Sequence, residues 1–193
     1  AQQISHAARL LRESKRPVLY VGNGAVISGA DKAVTSLAEK LRSPVVTTLL
    51  GKGAMDETHP LHLGMFGMHG TAYANKAVAD CDLIMSIGGR WDDRITGRLE
   101  DFCTNAVKIH IDIDPSSINK NVPIDIPIVG DVGHVLEDMI KVWRSTQSKV
   151  DSKAMNAWWE QIDKWRHVDC LKFNQGKDVI KPQYAIQQLC ELS

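Results

Sequence analysis

The sequence has no surplus of either charge, no long apolar run, no closely paired cysteines and no internal repeat, and each absence removes a class of function. Its 23 basic and 23 acidic side chains cancel, which leaves no electrostatic footprint for nucleic acid or an anionic membrane as partner. No stretch approaches the roughly 18 apolar residues needed to span a bilayer. Cys81, Cys103, Cys170 and Cys190 are widely spaced, with no C-x-x-C among them; this predicts reduced thiols and a cytoplasmic setting rather than a disulfide framework. No G-x-S-x-G follows an apolar run, so a hydrolase elbow is not expected. His59, His62 and His69 lack a carboxylate or cysteine at ligand spacing, which argues against a metal. The opening AQQISHAARLL has neither an initiator Met nor a leader pattern, and is expected to be an internal piece of a longer chain.

What is present alternates. With 193 residues the chain suits one domain plus an extension, at roughly 100–200 residues per domain. Ile4, Ala7, Ala8 and Leu11 recur at helical spacing before Pro17, and the β-rich run Val18-Leu19-Tyr20-Val21 closes on Gly22-Asn23-Gly24. A helix with Val34, Leu37, Ala38 and Leu41 on one face leads past Pro44 into the strand Val45-Val46-Thr47-Thr48-Leu49. Residues 50–70 show no helical period and read as a long glycine-rich loop, of the kind that is more often functional than idle. A short helix over 71–79 precedes the strand 83–87, and further strands are predicted over 107–113 and 126–129. Asp131 then caps a helix whose Val132, Val135, Leu136, Met139, Ile140 and Trp143 share a face. Short apolar strands alternating with amphipathic helices predict an α/β fold, an open and mostly parallel Rossmann-like sheet with helices on both faces. The polar stretch TQSKVDSK marks a boundary, giving a nucleotide-binding domain over 1–146 and, over 147–193, a linker and helical C-terminal extension. Trp158, Trp159 and Trp165 beyond it either pack back on the domain or cover a neighbour. The second is expected, so that residues 148–193 would have no permanent partner in their own domain.

In an open parallel sheet, ligands bind at the carboxyl ends of the strands. Gly22-Asn23-Gly24, Thr48 to Gly51, Gly88-Gly89-Arg90, Asp112-Ile113 and Gly130-Asp131 all fall on that edge, and form a crevice suited to an elongated nucleotide. A nicotinamide fingerprint fits badly: its third glycine would fall at Ile27, and no acid ends the second strand. The most informative stretch is SIGGRWDDRITG at 86–97. Arg90 and Arg94 offer planar forks for an anion, and Asp92 and Asp93 either brace them or accept from ligand hydroxyls. A solvated Asp/Arg turn is the plainer alternative.

GMFGMHGTAYANKAV at 64–78, IGGRWDDRITGRLEDF at 87–102, HIDIDP at 110–115 and VGDV at 129–132 resemble the central domain of acetohydroxyacid (acetolactate) synthase catalytic subunits, and IKPQYAIQQL at 180–189 resembles the entry to their C-terminal, thiamine diphosphate-binding domain. The resemblance implies a six-stranded sheet that binds FAD structurally, without net redox work. It implies flavin contacts at Gly22, Gly24, Thr48, Leu49, Leu50, Gly51, Phe66, Gly67, Met68, His69, Gly88, Gly89, Arg90, Trp91, Asp92, Asp112, Ile113, Asp131 and Val132, with Arg94 at the active-site mouth. Asn23 departs from the family's glycine turn, and Trp91 stands where Phe is common. The implied parent condenses two pyruvates, or pyruvate and 2-oxobutyrate, in branched-chain amino acid biosynthesis. It does so with thiamine diphosphate and Mg²⁺ held by flanking N- and C-terminal domains, as a homo-oligomer with a regulatory small subunit. This piece alone is then expected to be inactive. A stand-alone nucleotide-binding or regulatory module, and the related glyoxylate carboligase, are the alternatives.

Overall fold

A computed structural model describes residues 2–145 and 150–193. The first helix, α1 (Gln2–Glu13), buries Ala7, Ala8 and Leu11 and delivers the chain to β1 (Pro17–Val21), whose five residues are all buried. A short helix, α2 (Asn23–Ile27), and α3 (Asp31–Leu41) carry the chain back to β2 (Val45–Thr47). Then come β3 (His62–Met65), α4 (Ala72–Asp80), β4 (Leu83–Ile87), the single-turn α5 (Asp93–Thr96), β5 (Val107–Asp112), β6 (Ile126–Val129) and α6 (Val132–Arg144). Two helices, α7 (Ser152–Arg166) and α8 (Pro182–Leu192), end the chain.

The six strands form one sheet in the order β3-β2-β1-β4-β5-β6, and every neighbouring pair is parallel. Because side chains alternate along a strand, Leu19 and Val21 enter a core layer with α1, α3 and α6, while Val18 and Tyr20 enter a second layer with α4 and α7. Burial on both faces explains why these strands read as continuous apolar runs. The order reverses between β1 and β4: from β1 the chain goes to β2 on one side, and from β4 to β5 on the other. That is the switch point at which an open α/β sheet leaves a crevice at its carboxyl edge.

Three sequence expectations change. The second strand ends at Thr47 rather than Leu49, because Thr48 Oγ1 accepts from the Gly51 N–H at 2.9 Å and turns residues 49–51 into a 3-10 turn. The stretch 50–70 is not wholly loop: β3 pairs with β2 in an irregular register. Its Gly64, at φ +82°, breaks the alternation that would have revealed an edge strand. The third change concerns the tryptophans. α7 is capped by Asp151, which accepts from Lys153 N at 3.0 Å and Ala154 N at 3.1 Å. It buries Met155, Trp158 and Ile162 against the second core layer. Trp158 Nε1 donates to Pro17 O at 3.2 Å and Trp159 Nε1 to Arg42 O at 2.8 Å. Arg166 Nη2 donates to His62 O at 2.9 Å, occupying an acceptor of the edge strand. The expectation that residues 148–193 lack a partner in their own domain is therefore wrong for α7, since two indole N–H groups find acceptors where the chain enters β1 and β2. Nothing on α8 is buried; its Ile186 and Leu189 are each 69% exposed. The expected boundary between 146 and 147 lies outside the described residues.

Among the described residues, Cys81 and Cys103 are buried free thiols and Cys170 and Cys190 exposed ones. No helix among them is long and apolar enough to cross a membrane. No group of three or more His, Cys, Asp or Glu among them could hold a metal ion.

Candidate nucleotide cleft

A cleft of about 700 Å³ opens along the carboxyl edge, within the roughly 300–1,000 Å³ typical of small-molecule sites. Segments following β1, β2, β4, β5 and β6 line it. Of the residues singled out in the sequence, the structure brings together Gly22, Gly24, Thr48, Leu49, Leu50, Gly88, Gly89, Arg90, Asp92, Arg94, Asp112, Ile113, Asp131 and Val132.

The floor is two interlocked glycine turns. Gly22 N–H donates to Ile87 O at 3.0 Å and Gly24 N–H to Gly88 O at 2.9 Å. A Cβ on Gly24 would lie 2.8 Å from Gly88 Cα, and one on Gly88, whose φ is +64°, would lie 2.7 Å from Gly24 Cα. These glycines are required first because two backbones touch at the switch point; the approach of a ligand comes second. Asn23 also lines the cleft.

Below this floor Tyr20 fixes the loop. A Cβ on Gly89 would come within 2.6 Å of Tyr20 Cζ, and the Tyr20 hydroxyl donates to Arg90 O. Burial, reinforced by the carboxylate of Asp92, pushes the Tyr20 pKa far up, so the hydroxyl stays a donor. Phe66 and Trp91 pack edge-on against its ring, at centroid separations of 4.8 and 5.2 Å. Arg90 and Arg94 reach into solvent. Arg90 Nη2 lies 3.2 Å from Asp92 Oδ2 and Arg94 Nη1 3.2 Å from Asp93 Oδ2. Such exposed pairs contribute little, so either guanidinium can exchange its carboxylate for an incoming anion at small cost.

The remaining expected contacts are placed elsewhere. Trp91 is 3% exposed and its indole is held in the core by Tyr20, Phe102 and His110, because the chain turns inward after Arg90. Phe66 is buried under Tyr20. Gly67, at φ +96°, lies against the Arg94 backbone and is held by Asn75, which accepts from Gly67 N at 2.8 Å and donates to Gly67 O at 2.9 Å. Met68 N–H donates to Arg94 O at 2.8 Å, leaving the Met68 and His69 side chains exposed beside α5. Gly51 packs against Val21 O. None of these six side chains or glycines lines the cleft.

Sequence reasoning missed Tyr20, Ile27 and Ser28, all of which line it. Ser28 Oγ accepts from Gly133 N at 2.8 Å and lies 3.5 Å from Asp131 Oδ1, tying the turn after α2 to the first turn of α6. A lone serine carries no sequence signal for such a bridge. Tyr20 could have been found, since a tyrosine inside a buried strand needs a partner for its hydroxyl.

A family model described as "Thiamine pyrophosphate enzyme, central domain" matches residues 4–139. The curated relatives include the acetolactate synthase isozyme 3 large subunit of Escherichia coli (strain K12), 44% identical over 99% of this chain and 33% of its own length. Another is the acetolactate synthase large subunit of Cyanidium caldarium, 42% identical over 100% of this chain and 33% of its own. A third is a probable acetolactate synthase large subunit of Methanocaldococcus jannaschii, 45% identical over 98% and 32%. The chain thus spans about a third of the length of the relatives it matches.

Proposed function

The chain belongs to the thiamine pyrophosphate enzyme central-domain family, and from that premise we propose that it is the flavin-binding central domain of an acetolactate synthase large subunit. The observation that supports this most is the single cleft into which five strand ends converge across the switch point. Its residues fit FAD by their chemistry. Ile27, Leu49, Leu50 and Ile113 are 65–78% exposed around the cleft and offer apolar surface to flat ring systems. Arg90 and Arg94 suit the diphosphate, and Asp92, Asp112 and Asp131 suit sugar hydroxyls. FAD bound here would serve structurally, as a large ligand that ties the strand ends together.

In this reading the whole enzyme joins two 2-oxo acids. Thiamine diphosphate supplies the carbanion chemistry and is held with Mg²⁺ by the flanking N- and C-terminal domains of the parent chain, in a homo-oligomer with a regulatory subunit. Residues 147–193 form the link to the C-terminal domain, with α7 strapped to the sheet and the exposed α8 starting the crossing. Phe66, Gly67, Trp91 and Gly51 then act indirectly, by packing behind the segments that line the cleft, and Met68 and His69 stay outside it.

The test is FAD titration by flavin fluorescence on the full-length parent. A charge-assisted contact contributes about 1.5–3 kcal/mol, so Arg90→Ala is expected to weaken FAD binding roughly ten- to hundredfold. Arg94→Ala should change FAD affinity less and turnover more. Wild-type protein that takes up no FAD would overturn the reading.

A further inference from the structure

Among the described residues, Thr47 Oγ1, Trp91 Nε1 and both ring nitrogens of His110 are buried near the carboxyl edge without a hydrogen-bond partner, and His110 stands beside a carboxylate of the cleft wall. His110 sits on β5 two residues before Asp112, with 0% of its side chain exposed, and neither ring nitrogen completes a full hydrogen bond; the Asp112 carboxylate and the Gly89 carbonyl are the acceptors that face the ring. Burial lowers its pKa, with Asp112 opposing, so the ring is neutral and carries one N–H. An apolar side chain would fill the same space against Trp91 without burying a polar group at a cost. What distinguishes the imidazole is its neighbour: Nε2 lies 3.5 Å from Asp112 Oδ2, just beyond a good hydrogen bond. The other oxygen, Oδ1, accepts from Asp114 N–H at 2.9 Å. The Asp112 carboxylate, 12% exposed, is a wall of the cleft.

We propose that His110 is a positioning residue for the cleft ligand: its Nε2–H holds the second oxygen of Asp112, so that the free lone pairs of that carboxylate meet the sugar hydroxyls of the cofactor. The role rests on the flavin reading above. Asp114 N–H fixes one oxygen and the imidazole the other, and a small rotation of the carboxylate as it accepts a ligand hydroxyl closes the 3.5 Å gap. Trp91, edge-on to the imidazole at a centroid separation of 5.8 Å, holds the ring plane. Trp91 therefore acts on the site from the core, through His110 and Asp112, without facing the ligand.

The experiment uses the full-length parent freed of flavin, with FAD affinity read by fluorescence and unfolding followed without flavin. His110→Phe keeps the aromatic packing and removes the N–H; it is expected to weaken FAD about tenfold, the size of one coupled contact, without lowering flavin-free stability. His110→Gln restores a side-chain N–H and is expected to recover most of the affinity, which a purely structural role would not produce. In an Asp112→Asn background, His110→Phe should cost no further affinity. If His110→Phe does not fold, His110→Met takes its place. Wild-type affinity in the Phe or Met variant, or a loss unchanged by Asp112→Asn, overturns the proposal while leaving the flavin reading standing. Failure of the wild-type protein to bind FAD overturns both.

Discussion

Replacing Trp158 by alanine tests how α7 is held. The indole is 2% exposed, packs edge-on against Trp165 at a centroid separation of 5.8 Å and donates to Pro17 O at 3.2 Å. Truncating a buried aromatic to alanine costs about 3–5 kcal/mol, including the cavity left behind. For a chain of this size each kcal/mol moves Tm by about 2–4 °C, so a fall of roughly 6–20 °C is expected. Trp158→Phe retains most of the burial but leaves Pro17 O without its donor, and should cost about 1–3 kcal/mol. The assay is urea unfolding followed by far-UV circular dichroism, which does not depend on the tryptophan removed. Ile186→Ala on the exposed α8 is the control and should stay within about 0.5 kcal/mol of wild type. A Trp158→Ala midpoint indistinguishable from that control would refute the docking of α7.

Two further outcomes follow from the site. Gly89→Ala drives a Cβ into the buried Tyr20 ring, so urea unfolding should show a loss of at least about 1–3 kcal/mol, as for other overpacked positions, and an unchanged midpoint would contradict the packing of this loop on Tyr20. The second concerns pH. The folded pKa of His110 is lowered chiefly by burial, as is that of His62. The unfolded chain therefore binds these protons more readily, and stability falls as pH drops from above the ordinary histidine value of about 6.5 toward the folded values, by no more than about 1.4 kcal/mol per pH unit per histidine. Urea midpoints between pH 7.5 and 5.5 check this, and His110→Phe should flatten the slope.

Much of this architecture was legible because burial on both faces leaves long apolar signatures: Val18 to Val21 and Leu83 to Ile87 could be little else than central strands. The edge strand β3 was not, since His62-Leu63-Gly64-Met65 is short and interrupted by a glycine. The carboxyl-edge cleft followed from the parallel alternation alone, and the strand-end residues Gly22, Gly88, Arg90, Asp112 and Asp131 fell where that rule puts them. Side-chain direction was harder. Trp91 follows Arg90 in sequence, yet one lines the cleft and the other is buried; only the contacts of Tyr20 and Phe102 decide this, and no local pattern encodes them. Nothing local in the sequence tells whether the tryptophans of α7 cover their own domain or a neighbouring one. The acceptors of Trp158 and Trp159, Pro17 O and Arg42 O, lie more than a hundred residues away in sequence, beyond the reach of any periodicity.

If the cleft across the switch point takes up FAD, the cofactor shields the backbone at the strand ends. Amide hydrogen exchange of the full-length parent, with and without FAD, tests it most directly. New protection is expected at residues 22–28, 48–51, 88–94, 112–114 and 131–133, and none in α7. Saturable flavin binding that leaves those five segments unprotected would contradict it.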